Sequence, residues 1–114
     1  MNSKTVDLEG TGIGDEVAEF IAGKLPGSSV TTLNLSNNKI SDMGCKAIAD
    51  KLPGSSVTTL NLKGNAIGDE GGEAIVAATT LPGSSLTTLN LGWNKIGDKG
   101  SRARRDQRRI DNDN

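Results

Sequence analysis

The chain has 114 residues, 33% of them apolar, with one Phe, one Trp and no Tyr. That is the length of one domain, and its core must be built in thin layers from Leu, Ile, Val and Ala. The absence of His removes the commonest general base and metal ligand, the single Cys45 excludes an internal disulfide and points to a reducing, cytoplasmic setting, and no apolar run reaches the length of a membrane span or a signal-peptide core. Charge is unevenly placed. Residues 1–101 hold 8 Lys against 11 acids, a net of −3, whereas residues 102–114 hold all 5 Arg against 3 Asp, a net of +2.

Taken in chain order, the sequence repeats itself. Residues 3–29 read SKTVDLEGTGIGDEVAEFIAGKLPGSS. The same unit returns in a stronger form as VTTLNLSNNKISDMGCKAIADKLPGSS from Val30 and VTTLNLKGNAIGDEGGEAIVAATTLPGSS from Val57. It begins again as LTTLNLGWNKIGDKG from Leu86, so the period is 27, 27 and then 29 residues. Thr79-Thr80 accounts for the two extra residues.

Each unit has two halves with different periodicities. In the first half Leu33 and Leu35, Leu60 and Leu62, and Leu89 and Leu91 alternate with polar residues, which predicts a short strand. In the second half Ile40, Ala47, Ile48 and Leu52, or Ile67, Ala74 and Ile75, recur at helical spacing. Asp15, Asp42, Asp69 and Asp98 stand at the expected helix starts, where a short acidic side chain caps free amides and suits the dipole. Pro26, Pro53 and Pro82 end the helices, and Gly-Ser-Ser turns the chain back. A unit of this size has no core of its own and must stack on its neighbours. Strands lie roughly 4.8 Å apart and helices are roughly 10 Å thick, so the strands line the inside of a curve and the helices its outside.

The pattern LxxLxLxxNxI, at Val30–Ile40, Val57–Ile67 and Leu86–Ile96, resembles the leucine-rich-repeat family, and the helical half and repeat length resemble its ribonuclease-inhibitor-like subtype. The resemblance implies an α/β solenoid of about four strand-turn-helix repeats (3–29, 30–56, 57–85 and 86–101), with a curved parallel sheet on the concave face and helices on the convex face. It places the family's Asn ladder on Asn38, Asn65 and Asn94, satisfying backbone groups in the turns after each strand. Two units depart from the pattern. The first has Thr11 at the ladder position, as terminal repeats often do. In the fourth, Arg104 and Arg105 align with Ile75 and Val76, so the array is expected to stop near residue 101. Residues 102–114 would then form an Arg-rich, unstructured tail.

The function expected from this pattern is non-catalytic recognition of a protein partner through the concave strand face and its rim. The residues that would carry it are Thr32, Asn34, Thr59, Asn61, Lys63, Thr88, Asn90 and Trp93. Trp93 stands where the second and third units have Asn37 and Gly64, and Trp is enriched in binding hot spots. Against it stands a structural reading, in which Trp93 shields the end of the core.

Other features carry less. The Gly10–Gly14 segment lacks the Lys-Ser/Thr of a phosphate loop and aligns with plain repeat turns. Asp15-Glu16 and Asp69-Glu70 do not converge as a metal or acid–base pair would, and Cys45 aligns with the small residues Ala18 and Gly72. No cofactor or metal is implied. Two other functions remain open: small-GTPase regulation, implied by resemblance to Ran GTPase-activating proteins, and binding of nucleic acid or an acidic partner by the Arg tail. Self-association through the solenoid ends is a further expectation.

Overall fold

The computed structural model describes residues 4–97 and a short strand at residues 110–111. The chain alternates strand and helix: β1 (Lys4–Asp7), α1 (Gly14–Lys24), β2 (Val30–Asn34), α2 (Asp42–Lys51), β3 (Thr59–Asn61), α3 (Asp69–Ala78), β4 (Thr88–Asn90) and β5 (Ile110–Asp111). The strands form one parallel sheet in the order β1-β2-β3-β4-β5, and α1 packs on α2 and α2 on α3. This is an α/β solenoid of stacked strand-turn-helix repeats. The expected Arg-rich tail falls almost wholly outside the described residues, as does Asp98. Within it, Ile110 and Asp111 pair with Leu89 and Asn90, an added strand that the repeat period does not foreshadow.

Repeat spacing sets the register. Thr32, Thr59 and Thr88 pair in one row, Leu33, Leu60 and Leu89 in the next, and Asn34, Asn61 and Asn90 in a third. Alternation sends each Leu row inward, so Leu33, Leu35, Leu60, Leu62, Leu89 and Leu91 are essentially inaccessible. Ala18, Ala22, Ile48 and Ile75 close the layer from the helix side. A fully buried Leu contributes about 1.5–3 kcal/mol, and repetition of this layer lets a chain so poor in aromatics hold together. Helix α3 ends at Ala78. The inserted Thr79 and Thr80 then fold their hydroxyls back onto the carbonyls of Val76 (2.6 Å) and Ala77 (2.9 Å).

The helix starts differ from the sequence-based expectation. Asp15, Asp42 and Asp69 do not cap their own helices, whose N-cap residues are Ile13, Ser41 and Gly68. Each Asp already lies inside the first turn, and its carboxylate reaches forward to the next repeat. Asp15 Oδ1 accepts from the amides of Ser41 (2.8 Å) and Gly44 (3.0 Å), and the Ser41 hydroxyl donates to Oδ2. Asp42 Oδ1 accepts from Gly68 (2.7 Å) and Gly71 (2.9 Å), and Asp69 Oδ1 from Gly97 (2.6 Å). Free amides of one helix N-terminus are thus satisfied by the preceding repeat. Close approach requires glycine at Gly71, where a Cβ would stand 2.6 Å from Asp42 Oδ1.

A concave face bounded by a strained rim

On the turn side of the sheet the Asn ladder joins the repeats. Asn65 is buried; its Nδ2 donates to the carbonyls of Leu35 (3.0 Å) and Leu62 (2.9 Å), and its Oδ1 accepts from the amides of Asn38 (2.9 Å) and Ile40 (3.0 Å). Asn38 serves Leu8 and Ser36 as donor and Gly12 and Ile13 as acceptor in the same way. Asn94 donates to Leu62, Leu91 and Gly92 and accepts from Ile67 (2.9 Å). At the matching position Thr11 turns its hydroxyl onto its own Leu8 carbonyl (2.7 Å). These bonds hold the rim at a fixed height above the strands.

The face itself is a polar floor. Thr32, Asn34, Thr59, Asn61, Lys63 and Asn90 are half-buried and Thr88 is exposed. The Asn side chains are partly committed to shaping the strand ends: Asn61 Oδ1 accepts from the Lys63 amide (3.0 Å) and Asn90 Oδ1 from that of Gly92 (2.8 Å). Asn34 bonds the amide and hydroxyl of Ser36 through Oδ1, and its Nδ2 donates to Asp7 (3.2 Å) and Glu9 (3.4 Å). Ser36, which the alternation places on this face, is instead buried beneath that bond. The floor is acidic at the β1 end and carries Lys63 toward the other.

Trp93 stands at the rim with 63% of its surface exposed. Its backbone is left-handed, φ 54°, at the turn position that Gly10 (φ 68°), Asn37 (φ 58°) and Gly64 (φ 75°) fill in the other repeats. Gly and Asn accept that conformation readily, whereas a bulky residue there is strained. Lys39 is the second such residue: it is exposed, with φ 62°. Lys95 occupies the position of Lys39 two repeats on and is also exposed. Sequence reasoning passed over both lysines, although the series Gly12, Lys39, Ala66, Lys95 is visible once the units are aligned.

Elsewhere the chemistry is quiet. Cys45 is fully buried, its Sγ 3.3 Å from the Gly71 carbonyl, and burial together with the charges of Asp42 and Asp15 pushes its thiol up to about 12. It has no thiolate character near neutral pH. No cluster of metal-ligating side chains occurs among the described residues, and no helix there is long and apolar enough to cross a membrane. Val17, Phe20 and Met43 are exposed on the helices, with Lys24 Nζ 5.2 Å from the Phe20 ring.

A search of curated proteins by sequence returned no match. Among solved structures, the actin-binding site 2 of leiomodin-1 is similar in fold, with a TM-score of 0.79 and 22% identity over 96% of this chain and 70% of that one. The family model described as "Leucine Rich repeat" matches residues 28–49, 55–76 and 84–103, more than half of the sequence. With Leu layers, Asn ladder and parallel register all falling on those repeats, the chain belongs to the leucine-rich-repeat family.

Proposed function

We propose that this protein is a non-catalytic protein-binding module that engages its partner with the concave strand face and the adjoining rim. The observation that carries the reading is Trp93. A large aromatic side chain is held mostly in solvent on a left-handed backbone that costs of order 1–2 kcal/mol for a non-glycine residue. Such an arrangement suits an anchor that becomes fully buried on binding. Thr32, Asn34, Thr59, Asn61, Lys63, Thr88 and Asn90 supply the polar floor beside it. The likeness in fold to a segment titled an actin-binding site supports the class of function, without naming this chain's partner.

The test uses two variants that leave the Leu layers untouched. Trp93→Gly removes the anchor and installs the residue that the backbone prefers, and Thr88→Glu places a bulky carboxylate on an exposed point of the floor. Affinity capture with the parent chain should retain a discrete protein after nuclease treatment, and both variants should lose it. Retention by both variants would remove the concave face from the function.

A further inference from the structure

We infer that the partner of this face presents an acidic polypeptide segment carrying an apolar side chain, with the carboxylates on Lys39 and Lys95 and the apolar group on Trp93. This rests on the concave-face reading and names the chemistry that the face recognises. Three features of the rim converge on it. Lys39 and Trp93 are the two residues among those described, apart from Asn37, that hold a left-handed backbone without being glycine. Both therefore keep a costly conformation at exposed positions on one rim. Lys95 repeats the Lys39 position two strands away, about 10 Å between backbones, and is tied into the same turn layer by its amide, which donates to the Ile67 carbonyl (2.8 Å). The described ion pairs are Lys46–Glu70 and Lys51–Asp50, so neither rim lysine is neutralised in a salt bridge among the described residues.

The floor adds polarity. Asp7 and Glu9 lie at the β1 end, bonded to the Asn34 amide, and Lys63 lies on the rim side of β3. A segment with carboxylates over the rim lysines and an uncharged end toward Asp7 and Glu9 gains attraction at one end and avoids repulsion at the other. The reverse orientation sets its carboxylates against Asp7 and Glu9, so the charge layout fixes direction as well as attraction. A polypeptide fits better than a nucleic acid. Isolated lysines beside one aromatic suit single carboxylates better than a continuous phosphate backbone.

The probe is a short fluorescein-labelled peptide with Asp-Leu-Glu at one end and an uncharged Gly-Ser-Gly at the other, compared by anisotropy with its Asn-Leu-Gln counterpart and with oligodeoxythymidylate, at low and at physiological salt. The acidic peptide should bind about tenfold or more tightly than the neutral one. Lys39→Asn and Lys95→Gln should each weaken it about two- to fivefold, and more at low salt. Lys39→Asn retains a residue that tolerates the left-handed backbone, so its loss of affinity reports charge rather than misfolding. Failure of the acidic peptide to bind, equal binding of the neutral peptide, or tighter binding of the oligonucleotide through the same lysines would each overturn the inference. Equal binding of both peptides that vanishes in Trp93→Gly and Thr88→Glu would sink the acidic specificity while leaving the concave-face reading intact. Acidic-peptide binding that neither variant disturbs would sink both.

Discussion

Replacing Asn65 by Ala tests the ladder most sharply, because its partners can be counted. Loss of Oδ1 leaves the amides of Asn38 and Ile40 without an acceptor, and both residues are wholly buried. Loss of Nδ2 costs the Leu35 carbonyl its donor, whereas the Leu62 carbonyl keeps Asn94 Nδ2 and the Lys63 carbonyl keeps the Asn37 amide. Three groups are thus orphaned. At about 1–3 kcal/mol for each buried unsatisfied group, with some relief from water entering at the rim, the cost is about 3–5 kcal/mol. A chain of this length has a total stability of about 6–17 kcal/mol, so the variant should remain folded but much weakened. Asn94→Ala orphans one amide, that of Ile67, in a half-buried setting and should cost about 1–2 kcal/mol. Urea unfolding followed by circular dichroism, with an unchanged slope, gives both numbers. An Asn65→Ala cost below about 1 kcal/mol, or one equal to that of Asn94→Ala, would refute the ladder as a stabilising device.

The remaining predictions concern the core, the helix packing and the forward-reaching carboxylates. Leu60→Ala should cost about 2–5 kcal/mol in the same unfolding assay, since its side chain is inaccessible and stacked between two Leu neighbours. Gly71→Ala should destabilise by about 1–3 kcal/mol despite the better helix propensity of Ala, because its Cβ meets Asp42 and Ile67. Gly23→Ala, where a Cβ meets nothing within 4 Å, should stabilise by about 0.5–1 kcal/mol. Burial alone would raise the Asp15 pKa, but hydrogen bonds from the Ser41 hydroxyl and the Ser41 and Gly44 amides outweigh it and hold the carboxyl below 3.8. A depressed folded-state value contributes stability above the unfolded pKa that is lost as pH falls through the folded one. The Tm gap between parent and Asp15→Asn should therefore narrow as pH falls from about 5 into the acid range, and a constant gap would count against it.

The repeat, its two halves and the Leu layers are legible in the sequence because period two and period 3.6 leave different marks at Leu33/Leu35 and Ile48/Leu52. The polar face is legible for the same reason, since whatever alternates with a buried Leu row must face away from it. Three things resisted. The acceptor role of Asp15, Asp42 and Asp69 belongs to contacts 26 to 29 residues away, and local capping rules see only the helix in which a residue sits. The burial of Ser36 depends on the particular turn of the Asn34 side chain. The strain at Trp93 and Lys39 shows only in a backbone angle. Alignment locates both residues, yet only the positive φ of each separates a tolerated substitution from a costly one.

The two rows of inter-repeat bonds point in opposite directions along the chain. Each Asp serves the repeat that follows it, and each Asn serves the repeat before it. A seam cut between any two repeats therefore strands polar groups on both of its sides, and neither half emerges with a finished surface. Under a pulling force such an array should yield as a block, resisting release of one repeat at a time from either end, like a strap riveted from both sides rather than a zip. The proposed binding face, laid across repeats joined in this way, would inherit that rigidity, and a partner gripping only one end would feel the whole plate.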